Sequence, residues 1–366
     1  MGASKIISIK TTVIDIPYKK TWEISLAKVT SKAHIFVQVI TEDGIKGYGE
    51  ASPAPSFMGE SGYTIAAVIT NHIKNVLVGE DIFNISRIHH IMDRQISHNT
   101  AAKAAIDIAI HDAVGKSMKM PVYKLLGGRF RDEIQLAWSV GLQSIDASVE
   151  EAMLKFNEGY KEIKVKVGTD INKDIKLLKQ LRKLLGPDIP MRIDANQGFS
   201  PADAVLLMKS IGCGVIGTFE QPVSKWNING LKYVKEHADG VKIMADESVS
   251  CLTNCKDILS LNAADSFNIK VGKVGGLYRA CQIAAVAEAA GLKACAGSNT
   301  ELGIGEAASL HFVTSQPALS LPNDMMAGSE LHSKEFILNP FNLKNGKIKC
   351  TEEAGLGVKV DESIFK

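Results

Sequence analysis

The chain has 366 residues, 45% hydrophobic and 22% charged, with 42 basic against 40 acidic side chains and a net charge of +2. That length holds one large domain or two. No basic block interleaved with aromatics is present, so nucleic acid is a poor candidate partner, and no apolar run approaches the ~18 residues of a membrane span.

The N-terminal MGASKIISIKTTVIDIP enters a strand pattern at once and shows no secretory h-region, so a cytoplasmic protein is expected. Gly2, Ala3 and Ser4 read as a cloning scar. Strands are predicted at KIISIKTTVIDI, HIFVQVIT and IKGYGEA, with the turn EDG at 42–44 making a hairpin of the last two. Helices follow. The stretch 99–118 is so rich in Ala and Ile that burial on most of its surface is predicted. This first part reads as an α+β segment, with LLGGRFRD at 125–132 as a hinge.

From 133 to about 335 the pattern becomes strand, loop, helix, repeated. Strands are predicted at 134–140, 162–167, 190–194, 215–220, 241–246, 266–270, 292–297 and 318–322, with amphipathic helices between them. Eight such units predict an α/β fold of the (β/α)₈ barrel type. A doubly wound open sheet would carry a Gly-rich phosphate loop after its first strand, and GLQSID at 141–146 is not one. NGKIKC and GLGVKV near the C-terminus read as small strands folding back on the N-terminal part. Cys213, Cys251, Cys255, Cys281, Cys295 and Cys350 form no paired framework and read as free thiols in a reducing compartment. Cys251 and Cys255 lie four apart on a predicted helix with no nearby pair of histidines, so zinc is not expected.

Chemistry in a barrel sits at the C-terminal ends of its strands. The third, fourth and fifth strands end in MRID, GTFE and IMAD, which places Asp194, Glu220 and Asp246 at one level on neighbouring strands. Three such carboxylates repel one another unless a cation compensates them, and an all-oxygen set suits Mg²⁺ better than zinc. Each acid taken alone reads more readily as a helix cap or the partner of a surface lysine; three in register make that reading unattractive. The second strand, EIKVKV, presents Lys164 and Lys166 on one face, and the sixth ends in Lys270. Strands two and six face each other across a ring. A lysine beside another cation has a lowered pKa and serves as a general base, so the arrangement suits removal of a proton next to a carboxylate. A strand-end lysine also serves Schiff-base aldolases.

KVKVG at 164–168, RIDAN at 192–196, FEQP at 219–222, ADES at 245–248 and IKVGKVGG at 269–276 together resemble the enolase superfamily. Within it they resemble the muconate-lactonizing-enzyme subgroup of the mandelate racemase/muconate lactonizing enzyme family. GYGEASP at 47–53 and the Ala-rich helix resemble its capping domain, and the resemblance runs from about residue 5 to the C-terminus. It implies a modified (β/α)₇β TIM barrel with an α+β cap: residues 1–128 the cap, 129–340 the barrel with the active site, and 341–366 a segment returning to the cap. It implies Mg²⁺ on Asp194, Glu220 and Asp246, an acid/base pair of Lys166 and Lys270 assisted by Lys164, Asn196 in the metal's outer shell, and Glu301 near the substrate. The strand-seven region has no His, so the His–Asp base of the mandelate-racemase subgroup is absent, and His311 reads as packing.

Specificity in this family comes from cap loops, here 18–28 and 53–61, with Trp22 and Phe57 as walls, and from the end of strand eight, LPNDMMAG. Dipeptide epimerases carry an Asp-x-Asp motif there that binds the substrate ammonium. Asn323-Asp324 is not that motif, which leaves Asp324 to meet a cationic nitrogen. The resemblance implies Mg²⁺-dependent abstraction of the proton α to a carboxylate through an enediolate. It implies racemisation or epimerisation of an N-substituted or cyclic amino acid or a dipeptide. Cycloisomerisation and syn-dehydration share that half-reaction and remain open; a Schiff-base aldolase is the remote alternative. The expected partner is a small-molecule carboxylate, with no nucleic acid and no membrane, and a homo-oligomer is expected.

Overall fold

The computed structural model describes residues 4–325 and 328–366. Gly2 and Ala3 of the expected scar lie outside them, as do Met326 and Ala327 of LPNDMMAG. Three strands, β1 (Ile6–Ile24), β2 (Ala27–Thr41) and β3 (Lys46–Ala51), form an antiparallel sheet in that order. β1 and β2 stay paired from Ile6↔Thr41 to Ile24↔Ala27, with a register shift between Pro17 and Trp22, near a residue that has no N–H to give. The segment 18–28, expected as a loop, is therefore the far end of a hairpin arm. It reaches the second domain, where Ser25 Oγ donates to Ala195 O at 2.5 Å.

The helix Thr100–Ser117 is buried from Ala101 to Gly115, as its nearly all-round apolar composition predicts. It packs on β3 at two glycines. A Cβ on Gly47 would stand 2.0 Å from Ala109 O, and one on Gly49 would stand 1.9 Å from Ala105 O. Only a residue without a side chain lets helix and strand approach this closely.

The rest of the chain builds the barrel. After β4 (Ile134–Gln135) come β5 (Ala137–Val140), β6 (Glu162–Lys166), β7 (Met191–Asp194), β8 (Thr218–Glu220), β9 (Lys242–Ala245), β10 (Ser266–Ile269) and β11 (Lys293–Ala296). β5 to β11 form one parallel sheet in chain order, the arrangement that needs a helical crossover after each strand. Ser144, Asp170, Ser200 and Asn227 start four of those helices by accepting the orphan N–H groups of the first turn.

The predicted eighth strand, 318–322, is not a regular strand. The chain there closes the barrel through two single bridges, Leu136↔Asn323 and Gly297↔Asp324. Pro322 has no N–H for a ladder, and a side chain takes over: Ala296 N donates to Asn323 Oδ1 at 2.8 Å. Beyond the barrel, β12 (Lys347–Ile348) pairs with β4. Gly355 then bridges Pro121, and Glu362 accepts from Lys46 Nζ at 2.6 Å, which lays the chain end against β3. All six cysteines are free, and among the described residues no helix is long and apolar enough to cross a membrane.

Gly49→Ala should cost about 3 kcal/mol through overpacking of helix against strand. Gly217→Ala, where a Cβ meets nothing within 4 Å, should cost under ~1 kcal/mol, the usual scale away from special features. Unfolding in urea compares the two.

Candidate active site

Period-two alternation puts Lys164 and Lys166 of β6 on the face that lines the barrel. The parallel register then sets Lys166 beside Asp194 and Asp194 beside Glu220, with Lys164 beside Arg192 one layer down. Asp246 and Lys270 each follow directly on the last residue of β9 and β10. Asp194, Glu220 and Asp246 are completely buried, and one oxygen from each lies within 4.8 Å of the others.

Lysines and an arginine neutralise this cluster. Lys164 Nζ lies 2.9 Å from Asp194, 2.8 Å from Glu220 and 2.8 Å from Asp324. Lys166 Nζ is 2.6 Å from Asp194 and Lys270 Nζ 2.8 Å from Asp246. Burial alone would raise the carboxyls, yet Lys164 and Lys166 hold Asp194 well below the usual range, and Lys270 and Lys273 do the same for Asp246. Glu220 carries the misfit: burial and the charge of Asp194 push it up to about 8. Burial would lower Lys164 and Lys270. The acids around them reverse this and hold both above the ordinary lysine range. The lowered lysine expected from a neighbouring cation is thus not found at either, because carboxylates are the closer neighbours.

The donor set fits a hard divalent cation. Its ligands are all oxygens, one from each of three acids, gathered within 4.8 Å of one another. Asp246 Oδ2 accepts no well-directed hydrogen bond although Lys270 is near, and Glu247 Oε2 is likewise buried without a partner. Asn196 sits just behind, in the left-handed region at φ 41°. Its N–H donates to Asp194 Oδ1 at 2.8 Å, its amide to Glu247 Oε1 at 3.0 Å, and its Oδ1 accepts from Lys166 at 2.8 Å.

The other expected residues divide. A cavity of about 300 Å³ lies above the lysines, and Trp22 from the hairpin arm and Phe57 from the 53–61 segment both line it. Lys270 Nζ stands 5.4 Å from the Phe57 ring centroid, within cation–π reach. Glu301 does not line the cavity. It lies behind the wall, accepting from Ser298 Oγ at 2.6 Å and Asn299 N at 2.8 Å, and so shapes the turn that holds Thr300 at φ 60°. Asn323 is engaged in the barrel seam. Asp324 reaches the cavity floor but is held by Lys164 and by Arg192 at 3.1 Å, and these charges outweigh burial and keep its carboxyl at about 2. It is not a vacant receptor for an ammonium group. His311 is buried in packing, accepting from Tyr123 N at 3.1 Å.

Four residues escaped the sequence reading. Arg192 ties Glu162, Glu220 and Asp324 together, and Asn268 Nδ2 donates to Glu220 Oε1 at 2.8 Å. Lys273 donates to Asp246 Oδ1 at 2.7 Å and to the Asp246 carbonyl. Glu247 supports Asn196. The signal for two of them was present: Arg192 and Asn268 stand two residues before Asp194 and Lys270, hence on the same strand face.

A closed parallel barrel with three acids on consecutive strands, lysines on either side and an α+β cap defines an enzyme that removes a proton next to a carboxylate. Residues 147–364 match the family described as enolase C-terminal domain-like, and residues 8–127 match the mandelate racemase/muconate lactonizing enzyme N-terminal domain. The chain belongs to that family of the enolase superfamily. It is 32% identical to an N-succinyl-L-Arg/Lys racemase of Bacillus cereus over 366 residues, 99% of this chain and 97% of that one. The solved structure of that racemase superposes with a TM-score of 0.94. A chloromuconate cycloisomerase of Cupriavidus necator is 30% identical, covering 98% and 97% of the two chains. The structure of a dipeptide epimerase from Enterococcus faecalis, complexed with Mg and L-Leu-L-Tyr, is 32% identical, with a TM-score of 0.92 and coverage of 97% and 99%. All three relatives are isomerases, and the chain is an isomerase of this superfamily.

Asp194→Asn should weaken divalent-cation binding by more than ~100-fold, since even an outer-shell partner is worth 10–100-fold. Calorimetric titration of the purified protein measures it.

Proposed function

We propose that the protein is a Mg²⁺-dependent racemase or epimerase of an amino-acid derivative, a small-molecule carboxylate. One observation carries this: Lys166 and Lys270 both line the substrate cavity, from strands four places apart in the closed ring, each tethered to a carboxylate of the acid cluster. Two bases on opposite faces of one carbon are what inversion requires. Residues 1–128 act as the cap, 129–340 as the barrel and 341–366 as the return to the cap.

In this reading Lys166 or Lys270, in its neutral form, takes the α-proton from one face. The opposite lysine, as ammonium, delivers a proton to the other face. Lys164 has a different role. It contacts Asp194, Glu220 and Asp324 at once, so it serves as a fixed cation beside the developing enediolate. Asn196 orients both Lys166 and Asp194. Trp22 and Phe57 cover the reacting carbon and exclude water. Asp194, Glu220 and Asp246 would hold Mg²⁺, which would supply positive charge to the developing enediolate oxygens. Cycloisomerisation, the reaction in the name of the Cupriavidus relative, is the alternative reading.

With Mg²⁺ in D₂O, the α-proton of a substrate should exchange with solvent. Lys166→Ala and Lys270→Ala should each slow exchange from one enantiomer by ~10²–10⁴-fold and leave the other enantiomer reactive. EDTA should stop exchange, and borohydride should trap nothing. Normal exchange of both enantiomers in both variants would refute the two-base assignment, and proton NMR reads the outcome.

A further inference from the structure

A second cavity, of about 260 Å³, lies in the seam between cap and barrel and shares no lining residue with the substrate cavity. Two cations stand in its wall, Lys103 from the Ala-rich cap helix and Arg279 from the helix Leu277–Ala289 that follows the Lys270 loop. Asp93 holds them side by side, accepting from Lys103 Nζ at 2.7 Å and from Arg279 Nη2 at 2.5 Å. Among the described residues Asp93 is the only acid in that wall, so the two cations are not fully matched. Glu60 acts on Lys103 through space, but its oxygens accept from the N–H groups of Ala101 and Ala102. Lys103 is 5% exposed, and its ammonium has donors to spare.

His89 lines the same cavity from the cap and is 2% exposed. Its Nε2 lies 2.6 Å from Asp107 Oδ1. A carboxylate there calls for an N–H, so the neutral ring keeps its lone pair on Nδ1. Among the described residues Nδ1 has no hydrogen-bond partner. On the barrel side the wall includes the start of the helix Leu252–Ser260. Its cap residue, Cys251, gives the first turn no side-chain acceptor, and Asn254 Oδ1 is taken by Ser250 Oγ at 2.6 Å. The N–H groups of Leu252 and Thr253 have no acceptor within the helix.

We propose that this cavity binds hydrogen phosphate. The anionic oxygens take donors from Lys103, Arg279 and the first turn of the helix Leu252–Ser260, and the P–OH meets the lone pair of His89 Nδ1. That buried acceptor selects the ligand. Sulfate carries no proton near neutral pH and would set an anionic oxygen against the lone pair, whereas inorganic phosphate keeps an O–H there. The wall also holds Ser250 and Cys251, which follow the Asp246 strand end, and Val274 and Gly275, which follow Lys270. An anion in this place ties the cap to both of those loops.

The test is calorimetry on the full chain near neutral pH, with inorganic phosphate and sulfate as probes, each with and without Mg²⁺. Phosphate should bind roughly tenfold tighter than sulfate, the scale of one buried acceptor left facing an anion. Its binding should not require Mg²⁺, which separates this cavity from any phosphate held by a metal at the acid cluster. Lys103→Met and Arg279→Met should each weaken phosphate roughly tenfold. Neither side chain lines the substrate cavity, so the loss locates the site. His89→Gln, whose amide nitrogen can still donate to Asp107, should bring the two ions to equal affinity. The phosphate-to-sulfate ratio is read within each variant, so a general disturbance of the seam moves both affinities together. Phosphate should also raise the Tm of the unaltered protein and leave that of Arg279→Met where it was. No phosphate binding, equal affinity of the unaltered protein for the two ions, binding that needs Mg²⁺, or binding that survives both cation variants would overturn the proposal.

Discussion

Mutual repulsion among Asp194, Glu220 and Asp246 is the constraint that organises the centre of this molecule. Three carboxylates within 4.8 Å and out of contact with solvent cannot all be ionised unless positive charge is brought to them. The protein does this by register. Parallel pairing lays β6 against β7 and β7 against β8 so that Lys166, Asp194 and Glu220 share one level and Lys164 and Arg192 the next. A slip of one residue would turn the acids outward and the apolar residues inward. The same pairing that closes the barrel thus fixes the electrostatics of the site.

The cap completes what the barrel leaves open. Its ties to the barrel are polar and specific. Ser25 at the hairpin tip donates to the carbonyl that precedes Asn196. Asp107, buried in the cap's central helix, accepts from Leu277 N, the first residue of the helix after the Lys270 loop. Glu50 on β3 accepts from Leu302 and Gly305, at the start of the helix after the 299–300 turn. Each tie reaches a loop at the C-terminal rim of the barrel, close to a residue of the site. A cap held at these points places Trp22 and Phe57 over the lysines without a residue of its own among the acids.

The barrel and its acids were legible because both obey short-range rules. Period-two alternation identified the strands and the strand-end acids and lysines, and the order of the motifs gave the family. What the sequence hid were features set by contacts between distant segments. The family pattern makes 18–28 a cap loop, but Trp22, Glu23 and Ile24 pair with β2 and hold the arm extended. The eighth strand looks regular from ALSLP, yet Pro322 limits its ladder and the Asn323 side chain makes the closing bond instead. Asn323 and Glu301 look like substrate contacts from their place in the family pattern. Their hydrogen bonds turn them to the seam and to the 298–300 turn. Lys273 and Glu247 support the acids from positions whose role emerges only when the strands are assembled.

The position of Asp324 bears on how one scaffold serves different substrates. A carboxylate at the end of the eighth segment receives a substrate ammonium only if nothing else claims it. Here Arg192, reaching up from the layer below, and Lys164 both do. That leaves the acid part of the floor and removes the negative pole from the cavity. Lys32 on the cap donates only to neutral acceptors, Ser52, Asn299 and Thr300. The proton-moving lysines and the acids between them need not change for this to happen. They belong to the rigid strand ends, while the side chains that cover the cavity, Trp22 and Phe57 among them, come from the cap.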